Sequence, residues 1–171
     1  VIKDACILFD LVDLNLLGDF FRLGFIALTT PQVIGEVTNE TQWQEISKFV
    51  NSGQLQIDSE GEFAEVQKIY DQYPGLSIPD SSVLELALRK SAIIYSSDGS
   101  LRKISVKQRL TVRGILWIIE ELHTKGFLGK EQAVVLGKEQ AVDILNLYET
   151  INQRAPLKEI RNLITKILKE D

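Results

Sequence analysis

The chain has 171 residues, a formal net charge of −5, 44% apolar and 25% charged residues, one cysteine and one histidine. That length and balance suit one globular domain with a sizeable core, and no apolar run approaches the ~18 residues a membrane span needs. The lone Cys6 excludes an internal disulfide and fits a reducing cytosol, Cys/His zinc sites are excluded, and the negative charge argues against nucleic-acid binding by the whole surface. No basic-then-apolar signal segment opens the chain, so a cytoplasmic location is expected. The first residue is not Met, which suggests a trimmed start. A Ser-His-Asp centre would need His123, but "EELHTKG" places it at a helix end, where a capping role is expected.

In chain order, "VIKDACILFDLV" opens with a short strand ending near Asp4, followed by Ile7, Leu8 and Leu11 at helical spacing. "LNLLGDFFRLG" continues helically to a stop at Gly24. "FIALTT" reads as a second strand, and Thr30-Pro31 as the start of a short helix "PQVIGEV" that carries Glu36. "TQWQEISKFVNSG" is amphipathic and ends at Gly53, "QLQID" alternates as a third strand, and "GEFAEVQKIYDQY" is helical up to Pro74-Gly75. In "LSIPDSSVLELALRKSA", Asp80 falls in the first turn of a helix. "AIIYS" is a fourth strand, "GSLRKISVKQ" a short helix, "RLTV" a fifth strand and "GILWIIEELHTKG" a strongly apolar helix. Strands alternating with helices predict an α/β domain with a mostly parallel five-stranded sheet. Residues 1–126 form the α/β core of a single domain spanning 1–171, and residues 127–171 a helical C-terminal part.

"LGKEQAVV" at 128–135 is followed directly by "LGKEQAVD" at 136–143. Eight residues advance a helix by about 800°, roughly 80° past two turns, and Gly137 inside the pattern costs about 1 kcal/mol. The segment reads as a local duplication that lengthens or breaks a peripheral helix.

Asp98, in "IIYSSDGSLRK", follows the fourth strand as Asp4 follows the first. In an open parallel sheet the crevice beyond the strand C-termini is where ligands bind. Asp80, from a helix N-terminus, and Glu36, after strand two, can converge there. Four unpaired carboxylates would repel and drive some to the protonated form, and a hard divalent cation removes that conflict. Oxygen-only ligands suit Mg²⁺ or Mn²⁺. Each acid alone reads equally as a helix cap or a solvated strand end. Residues 89–113 carry seven Lys or Arg against one acid, Asp98, a local +6 that leaves −11 elsewhere; this is either a solvated face or an RNA path. The aromatics supply no stacking platform: Trp43, Trp117, Phe20, Phe21 and Phe49 lie in helical apolar patterns and read as core.

These segments together resemble the PIN-domain family, in particular its VapC-like toxin and ribonuclease subgroup. "VIKDACILFDL" resembles the opening strand with its acid, Asp4; "TTPQVIGEV" the segment bearing the Glu, Glu36; "LSIPDSSVLELA" the third-acid segment, Asp80; "YSSDGSLRK" the fourth-acid strand end, Asp98. "VRGILWIIEEL…N.R.P" resembles the C-terminal half of one subgroup. Two positions depart from the pattern: Cys6 stands where many relatives have Ser, Thr or Asn, and Ser100 where many have a further acid. The resemblance implies a three-layer α/β/α fold and a Mg²⁺- or Mn²⁺-dependent endoribonuclease acting on single-stranded RNA, with the toxin of a toxin–antitoxin pair as one role. It implies Asp4 and Asp98 as direct metal ligands and Asp80 and Glu36 as direct or water-mediated ones. Ser96 or Ser97 would orient a carboxylate or phosphate, or simply make strand-end hydrogen bonds. Arg102 and Lys103 are candidate phosphate contacts.

The runner-up is a catalytically silent PIN-like module that holds RNA or a protein partner, motivated by Ser100. A Mg²⁺-dependent phosphohydrolase is a third reading, but no phosphate-cradling glycine loop or nucleophile motif supports it. The resemblance also implies an antitoxin partner and a homodimer, for which "DLNLLGDFFRL" and "TQWQEISKFV" are candidate interfaces if they are not core.

Overall fold

The computed structural model describes residues 1–128 and 134–169; for 134–137 only the helical backbone is described. Five short strands form one all-parallel sheet: β1 (Ile2–Lys3), β2 (Ala27–Thr29), β3 (Leu55–Ile57), β4 (Ile94–Tyr95) and β5 (Val112–Arg113), in the order β3-β2-β1-β4-β5. Ile2 pairs with Leu28 on one side and Ile94 on the other, so β1 is central. The chain winds outward from β1 to β3, then crosses back to place β4 against β1's free side. The switch point of a doubly wound sheet therefore lies between β1 and β4, where the crevice at the strand ends opens.

The helices form two layers. One holds α6 (Ile78–Lys90), which packs on β1 and β4 with α3 (Pro31–Ile34), α5 (Phe63–Gln72) and α7 (Gly99–Lys107) around it. The other holds α1 (Ala5–Asp13), α2 (Leu17–Arg22), α4 (Glu40–Asn51) and α8 (Ile115–Thr124). The chain is thus a three-layer α/β/α fold. On α8 pack α9 (Val134–Ile151) and α10 (Leu157–Lys169). Every residue from Ser81 to Ala87 in α6 is buried, which explains its apolar run: it is covered on both sides.

Several expectations shift in detail. The helix expected to run to Gly24 breaks after Asp13, where Asn15 takes a left-handed φ of 54°, tolerable for Asn, and α2 starts anew. The helix expected to carry Glu36 ends at Ile34, so Glu36 lies just beyond it in an exposed loop. The two proposed dimer helices spend their apolar residues inside the chain: Leu17, Phe20, Phe21 and Ile46 are buried, and Phe49 stacks on Phe21 at 4.4 Å. His123 is half-buried in the last turn of α8. The first LGKEQAV copy falls largely on 129–133, outside the described residues, and the helix runs on through Gly137 in the second.

One core side chain is unusual. Lys3 is fully buried, and its Nζ makes no hydrogen bond among the described residues; it sits 3.4 Å from the Phe20 ring centre and 3.6 Å from that of Tyr95. Burial holds this amine well below the ordinary lysine range, against the pull of Asp4. The folded chain thus binds fewer protons here than the unfolded chain at any pH between the two values. Lys3→Met keeps the stem and should stabilise the protein by about 1–3 kcal/mol at pH 7, with the gain shrinking as pH rises towards ~10.4. Urea unfolding of both proteins across pH checks this; a less stable variant would show that the amine is held charged by the two rings.

Candidate active site

Asp4 closes β1 and opens α1. Its extended backbone makes it the N-cap, and Oδ1 accepts the Ile7 N–H at 2.9 Å, satisfying one of the free donors of the first turn. Its other oxygen, Oδ2, accepts the hydroxyl of Ser96, the fully buried residue just after β4. Ser96 Oγ in turn accepts the Asp98 N–H at 2.9 Å, and Asp98 Oδ1 caps α7 by accepting the Leu101 N–H at 2.8 Å. One serine therefore ties the ends of the two central strands together and presents both acids at the switch point.

Asp80 is fixed by a capping box. Its Oδ2 accepts from the Ser77 N–H at 3.0 Å and hydroxyl at 2.6 Å, while its own N–H donates to Ser77 Oγ at 3.1 Å. Thr30 caps α3 by accepting the Val33 N–H and shares a buried 2.7 Å hydrogen bond with Ser82, pinning the Glu36 loop to α6.

Asp4 feels Asp80 and Asp98, and Glu36 feels Asp80. Asp4 is 2% exposed. Burial pushes its carboxyl up to about 7; the bonds from Ser96 and Ile7 oppose this, and the negative charges of Asp80 and Asp98 add to it. Partial desolvation and then Asp80 raise Glu36. Cys6 is exposed as a residue, but enclosure of its thiol and then the field of Asp4, Asp98, Asp10 and Asp80 push it up to about 12, so it is no thiolate nucleophile at neutral pH. Among the described residues none of Asp4, Glu36, Asp80 and Asp98 is ion-paired to Lys or Arg, although every carboxylate of the Arg89 cluster is.

That imbalance is what a cation would correct. The acids are within electrostatic reach, yet among the described residues no three Asp, Glu, His or Cys side chains gather into a ready-made metal cage, because Asp98 and Asp80 are turned to cap their own helices. Mg²⁺ is commonly held by one or two carboxylates and keeps several waters. An all-oxygen set drawn from Asp4, Asp98, Asp80 and Glu36 fits that habit.

The basic segment divides. Arg89 is bound to Asp58 at 2.7 Å and Glu85 at 2.8 Å, and Lys90 to Asp58 at 3.3 Å and Glu60 at 3.1 Å. These two close a structural ion-pair cluster and leave the expected RNA path. Arg102 donates from Nη1 to the Ser96 carbonyl at 2.9 Å and bolsters the same turn. Arg113 lies over the Trp117 ring at 5.3 Å. Lys103 and Lys107 are exposed. Trp43, read as core, is half-buried and lines a shallow groove of about 210 Å³ with Ile34, Val37 and Asn39, beside the Glu36 loop.

The sequence reading missed Asp10. One and a half turns beyond Asp4 on α1, its Oδ2 accepts the Ser97 hydroxyl at 2.7 Å. Burial raises its carboxyl, and Asp13 adds to the rise, while bonds from Ser97 and Asn152 oppose it. An acid in mid-helix reads as solvated face, and the partners that mark it lie far along the chain.

The family model DUF3368, a PIN domain, matches residues 1–145. The chain belongs to the PIN-domain family, whose fold is nuclease-like and whose members are generally hydrolases that use divalent metals. No curated protein matches the sequence. Among the described residues no helix is long and apolar enough to cross a membrane.

The raised Asp4 carboxyl gives a signed prediction for metal-free protein. Between its ordinary 3.8 and about 7, the folded chain holds a proton that the unfolded chain has lost. Stability therefore falls as pH rises through this window. Asp4→Asn keeps an N-cap amide oxygen and carries no charge, so its stability relative to wild type should climb from pH 4 to pH 8, reaching at most about 4 kcal/mol. Chemical unfolding with chelator at both pH values measures it. A difference that does not change with pH would show that Asp4 titrates normally in the folded chain.

Proposed function

We propose that the protein is a Mg²⁺- or Mn²⁺-dependent endoribonuclease acting on single-stranded RNA. The observation that carries the reading is a buried, unpaired carboxylate, Asp4, tied by Ser96 to the Asp98 turn at the switch point of a PIN fold. Asp4 and Asp98 would hold the cation directly, with Asp80 and Glu36 binding it directly or through water. When bound, the cation would neutralise the scissile phosphate and acidify a water.

The chain's own residues then have separable tasks. Ser96 fixes the Asp4 carboxylate in one orientation while Asp98 keeps its N-cap geometry, so both are preorganised before substrate arrives. Glu36, exposed on its loop with a raised carboxyl, is suited to receive a proton from the attacking water. Lys103 offers a phosphate contact one turn beyond Asp98. Arg102 serves the Ser96 carbonyl first, and any contact it makes with RNA would come from its remaining N–H groups.

The role of toxin, with a basic antitoxin segment reaching the acids as partner, and a cytoplasmic setting follow from this reading. A homodimer would need surfaces other than the apolar residues of α2 and α4. One observation favours a second reading, a silent RNA- or protein-binding module: Ser100 stands exposed where many relatives carry an acid, and no three-ligand cage is present among the described residues.

Wild type should cleave a single-stranded RNA with Mn²⁺ and stop with chelator, and Asp98→Asn should lower the single-turnover rate by about 10²-fold or more while leaving RNA binding intact. Mn²⁺ at about 100 times its Kd should add roughly 2.7 kcal/mol to stability, a Tm rise of roughly 5–10 °C for a chain of this size. A protein that binds RNA, does not cleave it and melts identically with and without Mn²⁺ is the silent module.

Lys103→Ala separates binding from chemistry. It should weaken RNA binding and flatten the salt dependence by a slope of roughly 0.7 for one lost phosphate contact, with the cleavage rate at saturating RNA unchanged. Binding equal to wild type at every salt concentration removes Lys103 from the RNA path.

A further inference from the structure

The "N.R.P" motif of the C-terminal segment has no place in the acid site as so far described, and it begins beyond the residues that match the family. Asn152, the first residue after α9, turns the chain towards α10: its Oδ1 accepts the Arg154 N–H at 2.9 Å. Its side-chain amide looks the other way, towards α1. Nδ2 donates to the Tyr148 hydroxyl at 3.1 Å, and Asn152 also bonds Asp10. Tyr148 is 3% exposed and its hydroxyl bonds Ser97. Ser97 donates to Asp10 Oδ2 at 2.7 Å.

The donor count fixes the directions. Ser97 has one hydroxyl proton, given to Asp10, so it accepts from Tyr148. Tyr148 gives its proton to Ser97 and accepts from Asn152. The two Asn152 N–H groups serve Tyr148 and Asp10. Four side chains from α1, the turn after β4 and the C-terminal end of α9 thus gather, with the Ser97–Asp10 bond at 2.7 Å and the Asn152–Tyr148 bond at 3.1 Å as its two firm links and Tyr148 and Asn152 set against Ser97 and Asp10. Ser97 sits between Ser96, which holds Asp4, and Asp98, which caps α7.

The geometry points to Tyr148 and Asn152 as positioning residues of the acid site, holding the Ser96–Asp98 turn through Ser97 and Asp10. Neither touches Asp4 or Asp98; they restrict the turn that sets the distance between them. Tyr148 is buried and Asp10, Ser97 and Asn152 are half-buried, so a link broken here leaves a polar group only partly reached by water. The C-terminal end of α9 is thereby part of the site rather than an appendage, although Tyr148 and Asn152 lie far beyond Asp10 in the sequence and only packing brings them back. The role rests on the nuclease reading in its kinetic arm alone; the restraint on the turn is a property of the metal-free protein.

Tyr148→Phe keeps the buried ring and removes the link. Ser97→Ala removes the other end, and Ser97→Thr restores a hydroxyl. Ile144→Val, elsewhere on α9, is a control for loosened packing. Amide hydrogen exchange in metal-free protein should accelerate about tenfold at the Asp98 and Leu101 N–H groups in Tyr148→Phe and Ser97→Ala, and stay at wild-type rates in Ser97→Thr and Ile144→Val. With Mn²⁺ and RNA, Tyr148→Phe should lower kcat about tenfold at unchanged KM. Unchanged exchange in both Tyr148→Phe and Ser97→Ala overturns the role, whatever the wild type cleaves. So does exchange that moves while kcat does not, since the ring is then a structural clasp. If exchange moves as expected but wild type cleaves no RNA, the restraint stands and the nuclease reading falls.

Discussion

Placing a carboxylate at the end of the central strand, out of water and without a counter-ion, costs several kcal/mol unless other groups compensate, and the rest of the site is organised around Asp4 in that position. Two hydrogen bonds, from the Ile7 N–H and the Ser96 hydroxyl, offset part of the cost. They do not outweigh the burial itself, to which the field of Asp80 and Asp98 adds, so the carboxyl is held up near neutrality. The molecule can resolve this with a proton or with a cation. On the proposed reading, a proton would leave the centre inactive and a divalent ion would leave it charged and able to meet phosphate. The same tension appears on the other side of β1, where Lys3 is buried between two rings and its amine is held well below the ordinary lysine range. Adjacent residues, the last of β1 and the cap that follows it, are thus both shifted from their ordinary ionisation by burial.

The site's architecture follows from where the strands stop. β1 and β4 are neighbours only because the chain reverses direction across the sheet after β3. That reversal brings Ser96 to Asp4 across 92 residues of sequence and Ser97 to Asp10 across 87. Caps then do two jobs. Asp4, Asp80 and Asp98 each satisfy a helix N-terminus, which fixes the side chain in one rotamer near the positive end of a helix dipole. Structural capping and functional presentation are the same contact, so weighing them as rival explanations for these acids sets apart what the fold combines.

Much of this was legible in the sequence, for physical reasons. All five strands were: β1, β2 and β4 because parallel strands covered by helices read as apolar runs with abrupt polar ends, and β3 because it alternates, while the fifth falls at Val112–Arg113, at the end of the run read as "RLTV". Asp4 and Asp98 stood out for that abruptness. Asp80 stood out because Ser77, Pro79 and the apolar run behind it spell a helix start. What stayed hidden depends on partners distant in sequence. Arg89 and Lys90 look like part of a basic path until Asp58 and Glu60 arrive from the end of β3. Asp10 looks solvated until Tyr148 and Asn152 arrive from α9. Glu36 was placed in a helix that ends two residues earlier, since Gly35 leaves no sharp signal for where a four-residue helix stops. The apolar faces of α2 and α4 carry the same pattern whether they meet a second subunit or Phe49 of the same chain, and periodicity alone does not separate the two.

The proposed cation site requires the Asp4 carboxyl to titrate near 7 in the metal-free fold. Calorimetric titration of Mn²⁺ into wild type at pH 6 and pH 8.5, each in buffers of different ionisation enthalpy, counts the protons released on binding. With a carboxyl near 7, about 0.9 proton should leave per metal at pH 6 and close to none at pH 8.5, with tighter binding at the higher pH. Binding that releases no proton at pH 6, or no binding at either pH, would contradict the assignment of Asp4 as the centre of the site.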